Sequence, residues 1–243
     1  MTKSVTSKKR VNISSVICTF LATTTISLTG VFVNSSNAQA QTSACSSLGG
    51  KWYWDDRAFV ANMTFRFRDR LTTGYIRAMD GGNFINGSWR CDPSNRTLTV
   101  TWDSSNITDT LTVGYRSLVG TNSNGKRIVA IKRTTDRRNC TGSGITISGN
   151  WWWDNRFVAV MYSDGSVLGN DRGQLIRGRW RCLGRNGRFE ISWNTNITDT
   201  MYFTGRRVGI RNRHTGALIS YRQFEGYNSN GDNVSALRAD VGN

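Results

Sequence analysis

Two aspartates, Asp109 and Asp199, stand in the same phrase, Asn-Ile-Thr-Asp-Thr, at 106–110 and 196–200. In Ile107-Thr-Asp109-Thr-Leu111-Thr-Val113 a strand period of two puts the carboxylate on the face of Ile107, Leu111 and Val113. A carboxylate aimed with apolar residues must find a donor or reach a wet rim. Two roles stay open for Asp109 and Asp199: a lock to an arginine or the backbone at a strand end, or a polar contact to a ligand. Tryptophans form the second candidate set. Trp52-Tyr-Trp54-Asp-Asp-Arg57 returns as Trp151-Trp-Trp153-Asp-Asn-Arg156. Alternation puts Trp52 and Trp54, or Trp151 and Trp153, on one face and Tyr53 or Trp152 on the other. If the first set fills the cores, Tyr53 and Trp152 lie outside beside Arg57 and Arg156, a stacking surface for sugar rings or bases. Trp102 and Trp193, one in each copy, are further candidate ligand-binding residues.

Catalysis finds little support. The sole histidine, His214, lies in a stretch that has no counterpart in the rest of the chain, so neither a duplicated triad nor a histidine metal site can be built. No nucleophile elbow or phosphate loop occurs. Glutamate is represented by Glu190 and Glu225 alone. Asp55 with Asp109 could supply the two carboxylates of a glycosidase in the first half, though nothing in the sequence brings them together. The expectation is a non-enzymatic protein without cofactor or metal; no Cys-x-x-Cys is present.

The elements that must position these residues come in two copies. Trp89-Arg-Cys91 returns as Trp180-Arg-Cys182, and each cysteine precedes a further tryptophan, Trp102 or Trp193, by eleven positions. Internal duplication is the signature of a repeated structural unit. Thr97-Leu-Thr-Val-Thr-Trp102 alternates strictly, as do Phe189, Ile191 and Trp193 against Arg188, Glu190 and Ser192, which is the period of half-buried strands. Turn pairs such as Asn86-Gly87, Asn124-Gly125, Asp164-Gly165 and Asn230-Gly231 punctuate the chain. The fold class predicted is all-β: two tandem small antiparallel barrels or sandwiches of seven or eight short strands each. Boundaries fall at 41–136 for the first repeat and 137–243 for the second, where Gly205 to Tyr221 reads as an extra hairpin or a misplaced boundary.

Residues 1–40 carry Lys3, Lys8, Lys9 and Arg10, an apolar run to Val33, and Ala38-Gln-Ala40, the order of a secretory signal. The rival is an uncleaved anchor, but the run is diluted by Ser, Thr and Asn. The expected location is secreted, periplasmic or cell-surface, with no membrane span once the signal is removed. Without those residues the chain keeps 28 Lys and Arg against 16 acids, a net +12, and 25 of the 28 are arginine. Arginine's planar fork suits carboxylate, sulfate and phosphate, which points to anionic partners or to general adhesiveness. Four cysteines remain, and an even number in an exported chain implies disulfides. The pairing that respects the duplication is Cys45 to Cys91 and Cys140 to Cys182.

Gly50-Lys-Trp52 with Arg133, and Gly149-Asn-Trp151 with Arg222 or Arg238, resemble the calycin barrels, the lipocalins and avidins, in which a closing arginine packs over the first-strand tryptophan. The first repeat is similar to avidin in Cys45-Ser-Ser-Leu-Gly-Gly-Lys-Trp52, Asn62-Met-Thr64 and Thr99-Val-Thr-Trp102. The letters also resemble secreted bacterial repeat modules. The resemblance implies barrels with an interior ligand, and carries Trp102 to a ligand-stacking position. A biotin site does not follow from it, because Ile128-Val-Ala-Ile-Lys-Arg133 lacks the further tryptophan and leucines of avidin, and the second repeat has Ala159-Val-Met161 in place of Asn-Met-Thr.

Together these features predict an exported, non-catalytic binding protein that recognises carbohydrate or another anionic envelope or matrix polymer through arginine and exposed rings. The alternatives are a small-molecule carrier with its ligand inside each barrel, and a hydrolase of envelope polymer. Nucleic acid is not expected as a physiological partner, since no reading motif occurs.

Overall fold

Two closed antiparallel barrels of eight strands each make up the computed structural model. It describes residues 44–55, 59–66, 71–80, 83–135, 138–140, 144–154, 156–184, 187–211 and 218–238. The first barrel runs β1 (Gly50–Trp54), β2 (Phe59–Phe65), β3 (Thr73–Asp80), β4 (Asn83–Asp92), β5 (Thr97–Trp102), β6 (Thr108–Val113), β7 (Ser117–Asn122) and β8 (Arg127–Lys132). Each strand pairs with the next, and β8 returns to β1. The second repeats this order with β9 (Gly149–Trp153), β10 (Phe157–Met161), β11 (Ser166–Asp171), β12 (Gln174–Cys182), β13 (Phe189–Trp193), β14 (Thr198–Arg211), β15 (Leu218–Asn228) and β16 (Asn233–Arg238). Up-and-down closure leaves neither sheet with an open edge.

Alternation decides what fills each barrel. Trp52, Trp54, Met63, Ile76, Trp89, Leu98, Val100 and Leu111 point inward in the first; Trp151, Trp153, Trp180, Phe189, Ile191, Met201 and Phe224 do so in the second. The predicted tryptophan assignment to the cores therefore holds. Disulfides Cys45–Cys91 and Cys140–Cys182 tie the chain entering each barrel to its fourth strand. Trp52 and Trp151 donate their indole N–H to the carbonyls of Leu48 and Ile147, both at 2.8 Å. A cation covers each ring. Arg238 lies 5.0 Å from the Trp151 ring centre, but in the first barrel the cation over Trp52 is Lys132, at 5.6 Å, while Arg133 faces Tyr53. Register explains the change from the expected Arg133, because Trp52 pairs with Lys132 as Trp151 pairs with Arg238. The side chain of Arg222 lies outside the described residues.

The stretch without counterpart prolongs one hairpin. β14 and β15 continue their pairing beyond a register shift between Phe203 and Arg207, from Arg207 opposite Arg222 to Arg211 opposite Leu218. This ribbon continues the β14–β15 pair through part of the stretch from Gly205 to Tyr221, and His214 lies outside the described residues.

Candidate functional site

At one end of the first barrel, β5 and β6 are joined by a turn in which Asn106 takes a left-handed conformation, with φ of 51°. Asparagine tolerates that conformation, and Asn196 repeats it at the same place in the second barrel, with φ of 62°. The turn brings Asp109 back beside Trp102. Its carboxylate is 2% exposed. Among the described residues neither an arginine nor the backbone holds it, so the lock, one of its two open roles, does not form. Instead Trp54 and Trp102 both donate their indole N–H to Oδ2, at 3.0 and 2.9 Å. Among the described residues no group donates to Oδ1. Burial raises the pKa of Asp109, opposed by the two indole bonds and added to by the charge of Asp55.

A cavity of about 220 Å³ opens above this carboxylate. Phe59, Ile85, Ile107 and Ile128 form its apolar walls, with the Trp54 and Trp102 rings set edge to face at 5.7 Å and 88°. Its polar lining comes from Asp109, Asp55, Asn122 and the two serines of the loop, Ser104 and Ser105. Asp55 is also left-handed, with φ of 61°, and its amide donates to the Val129 carbonyl at 2.9 Å. That conformation turns the strand end inward, so Asp55 is 9% exposed. Lys126 donates to its Oδ2 at 2.6 Å. Its Oδ1 is buried and takes no hydrogen bond. A buried acceptor without a donor costs on the order of 1–3 kcal/mol.

The second barrel repeats the clamp and changes its surroundings. Trp153 and Trp193 donate to Asp199 Oδ2 at 3.0 and 2.6 Å, and burial again raises that pKa. Asp154, the counterpart of Asp55, is exposed and accepts the Ser235 amide at 2.7 Å. Asp232 stands where Lys126 stands in the first barrel, as the matching bonds from the amides of Asn122 and Asn228 to the carbonyls of Lys126 and Asp232 show. The two barrel mouths therefore share an aromatic and aspartate clamp but carry different charge.

Trp102, Asp109, Trp193 and Asp199 thus come together as inward groups. Tyr53 and Trp152 do not form an open stacking surface. Tyr53 is 6% exposed and sits with Val129, Ile131, Val158, Val160, Tyr162 and Leu168 in a third apolar cluster between the barrels, against which half-buried Trp152 packs. Arg156 is engaged by both its Nε and Nη2 with Asp171, at 2.8 and 2.6 Å. Arg57 lies outside the described residues. Polar contacts frame the cluster: the Tyr162 hydroxyl donates to the Lys132 carbonyl at 2.6 Å, Asn170 donates to the Val129 carbonyl at 3.3 Å, and Arg116 pairs with Asp164 at 2.9 Å. The correction has a sequence signal. Ile128-Val-Ala-Ile131 and Phe157-Val-Ala-Val-Met161 are apolar on both faces, the mark of strands covered on both sides.

No protein-family model, no curated protein and no solved structure matches this chain. Among the described residues no group of acids, cysteines or histidine could hold a metal ion, and no helix is long and apolar enough to cross a membrane.

Proposed function

We propose that the protein is an exported small-molecule binding protein whose first barrel holds its ligand in the cavity above Asp109. The observation that carries this reading is an aromatic-walled hollow lined by two aspartates, Asp55 and Asp109, with Oδ1 of Asp109 receiving no donor from the described protein groups. A cavity of about 220 Å³ is smaller than the ~300–1,000 Å³ of sites for drug-sized molecules. The ligand is therefore the size of a single sugar or a substituted ring. It presents apolar surface to Trp54, Trp102 and Phe59 and hydrogen-bond donors to the two aspartates. Export is supported by the two disulfides.

Titration of the full chain with methyl glucoside, benzamide and benzylammonium, followed by tryptophan fluorescence, tests this. Saturable binding by at least one of these donor-bearing molecules is expected, with loss when Ile107→Trp fills the cavity. Binding that survives Ile107→Trp would place the site elsewhere.

A second reading rests on the same hollow. Two carboxylates on one cavity are the minimum for glycoside hydrolysis, and the raised pKa of Asp109 runs in the direction a general acid needs. Turnover of aryl glycosides that is abolished by Asp55→Asn and by Asp109→Asn alike would establish it. The anchoring of Asp109 by two indoles and of Asp55 by Lys126 favours binding instead.

A further inference from the structure

The outer face of β2 to β5, on the far side of the wall from the cavity, carries rings and arginines that the cavity does not use. Asn62 and Thr64 of β2, Tyr75, Arg77 and Met79 of β3, and Phe84, Asn86, Ser88 and Arg90 of β4 point outward and are exposed. Tyr75 is 51% and Phe84 60% exposed, unusually open for such rings. Arg77 stacks on Phe84, 3.8 Å from the ring centre, and Arg66, 5.1 Å from the Tyr75 ring centre, donates through Nε and Nη2 to the Tyr75 hydroxyl at 3.2 and 2.9 Å. Stacking on a ring holds the planar fork of arginine in place with its N–H groups directed sideways.

Charge on this face is one-sided. Arg77 and Arg90 have no carboxylate partner among the described residues. The one described carboxylate at an outward position of these strands, Asp92, already accepts from the Ser94 amide and the Asn95 side chain, at 2.9 and 2.8 Å. In register, Met79 stands opposite Phe84 and Tyr75 opposite Ser88. The two rings are thus offset by four residues, about 13 Å at ~3.3 Å per residue. An occupant that touches both is extended.

The duplicate of this face has another use. Positions Val60, Asn62 and Thr64 correspond to Val158, Val160 and Tyr162, since Tyr53 pairs with Val60 as Trp152 pairs with Val158. In the second barrel these residues are buried against the first. In the first barrel Asn62 and Thr64 are polar and exposed, while Val60 stays half-buried against the cluster between the barrels.

We propose that this face binds a polyuronate, a polysaccharide bearing carboxylates. Carboxylates meet the forks of Arg77 and Arg90 in the bidentate manner, while Asn62, Thr64, Asn86 and Ser88 supply both donors and acceptors for sugar hydroxyls. Nucleic acid is the lesser fit, because the Phe84 ring has one face under a guanidinium and the two rings are too far apart to stack successive bases.

The test is calorimetric titration of the full chain with polygalacturonate, dextran and duplex DNA at about 150 mM salt, where charge-only attachment is weakened. Arg77→Gln with Arg90→Gln is compared with Arg127→Gln with Arg179→Gln, two exposed arginines elsewhere that remove the same charge. At least a tenfold loss of polygalacturonate affinity in the first pair, and less than twofold in the second, is expected. Phe84→Ser alone is expected to weaken binding several-fold. Equal losses in the two pairs, absence of polygalacturonate binding, or tighter binding of DNA that depends on Arg77 and Arg90 would each overturn the proposal. Small-molecule binding in the cavity is expected to be unchanged by all these variants, so the two sites fail separately.

Discussion

Trp54 and Trp102 share a single oxygen, Oδ2 of Asp109. One oxygen with two lone pairs satisfies both indoles, so the amide of Asp109→Asn can do the same through its carbonyl and turn its NH₂ toward the cavity. That variant is expected to unfold in urea within about 1 kcal/mol of the parent. Asp109→Ala strands two buried donors at about 1–3 kcal/mol each, so a loss of about 2–6 kcal/mol is expected. Ligand preference separates the two as well. With the acceptor replaced by a donor, Asp109→Asn is expected to lose donor-bearing ligands by tenfold or more, measured by the same fluorescence titration.

Burial pushes Asp109 and Asp199 above the ordinary carboxylate value of 3.8. The folded state then binds protons more tightly than the unfolded chain at these two sites. Their contribution to stability is greatest below about 3.8 and declines as pH rises through the raised folded values, after which it is flat. Urea unfolding from pH 3 to 7, comparing the parent with Asp109→Asn plus Asp199→Asn, checks the sign: the parent is expected to lose stability relative to the variant as pH rises. A difference that grows in the opposite direction would mean that the indole bonds outweigh burial.

Val160 is fully buried between the barrels, while Asn62 holds the same position in the first barrel and is exposed. Val160→Asp places an unpaired carboxylate in the apolar cluster, and a loss of several kcal/mol is expected. Asn62→Asp is expected to change stability by less than about 0.5 kcal/mol. Because each barrel closes on itself and has its own disulfide, calorimetry of Val160→Asp is expected to resolve two transitions.

Gly120 and Gly226 sit at equivalent places, where an added Cβ would lie 1.9 Å from the carbonyl oxygens of Thr110 and Thr200. Backbone oxygens in a closed barrel cannot withdraw. Gly120→Ala and Gly226→Ala are each expected to cost at least about 3 kcal/mol. Gly125→Ala meets nothing within 4 Å and bears only the strain of its φ of +77°, about 1–2 kcal/mol. Thermal unfolding of the three variants gives the comparison.

Reduction of the disulfides tests how far each barrel depends on its own bridge. The bonds span 46 and 42 residues, for which the chain-entropy argument gives about 4 kcal/mol each. Cys45→Ala with Cys91→Ala is expected to lower the transition of the first barrel and leave that of the second in place.

Much of this architecture is legible in the letters. Repetition of Trp-x-Trp, Trp-Arg-Cys and Asn-Ile-Thr-Asp-Thr reveals two copies of one unit, and period-two alternation places Leu98, Val100 and Trp102 inside. Both properties are local, set by the geometry of a strand. The same alternation shows Asp109 turned inward and the repeats show which cysteines pair, because each partner lies within its own copy. The indole partners of Asp109 were not legible. Trp54 is 55 residues away, and only closure of β1 against β8, with β5 and β6 on the facing wall, brings its N–H to the carboxylate. Nor could alternation say which outward face remains outward. Tyr53 leaves its barrel as the pattern requires, then disappears against Val158, Val160 and Tyr162. Period two separates the inside of a barrel from its outside; the docking of one closed barrel on another is a relation between surfaces. That relation covered Tyr53 and left Tyr75 and Phe84 open.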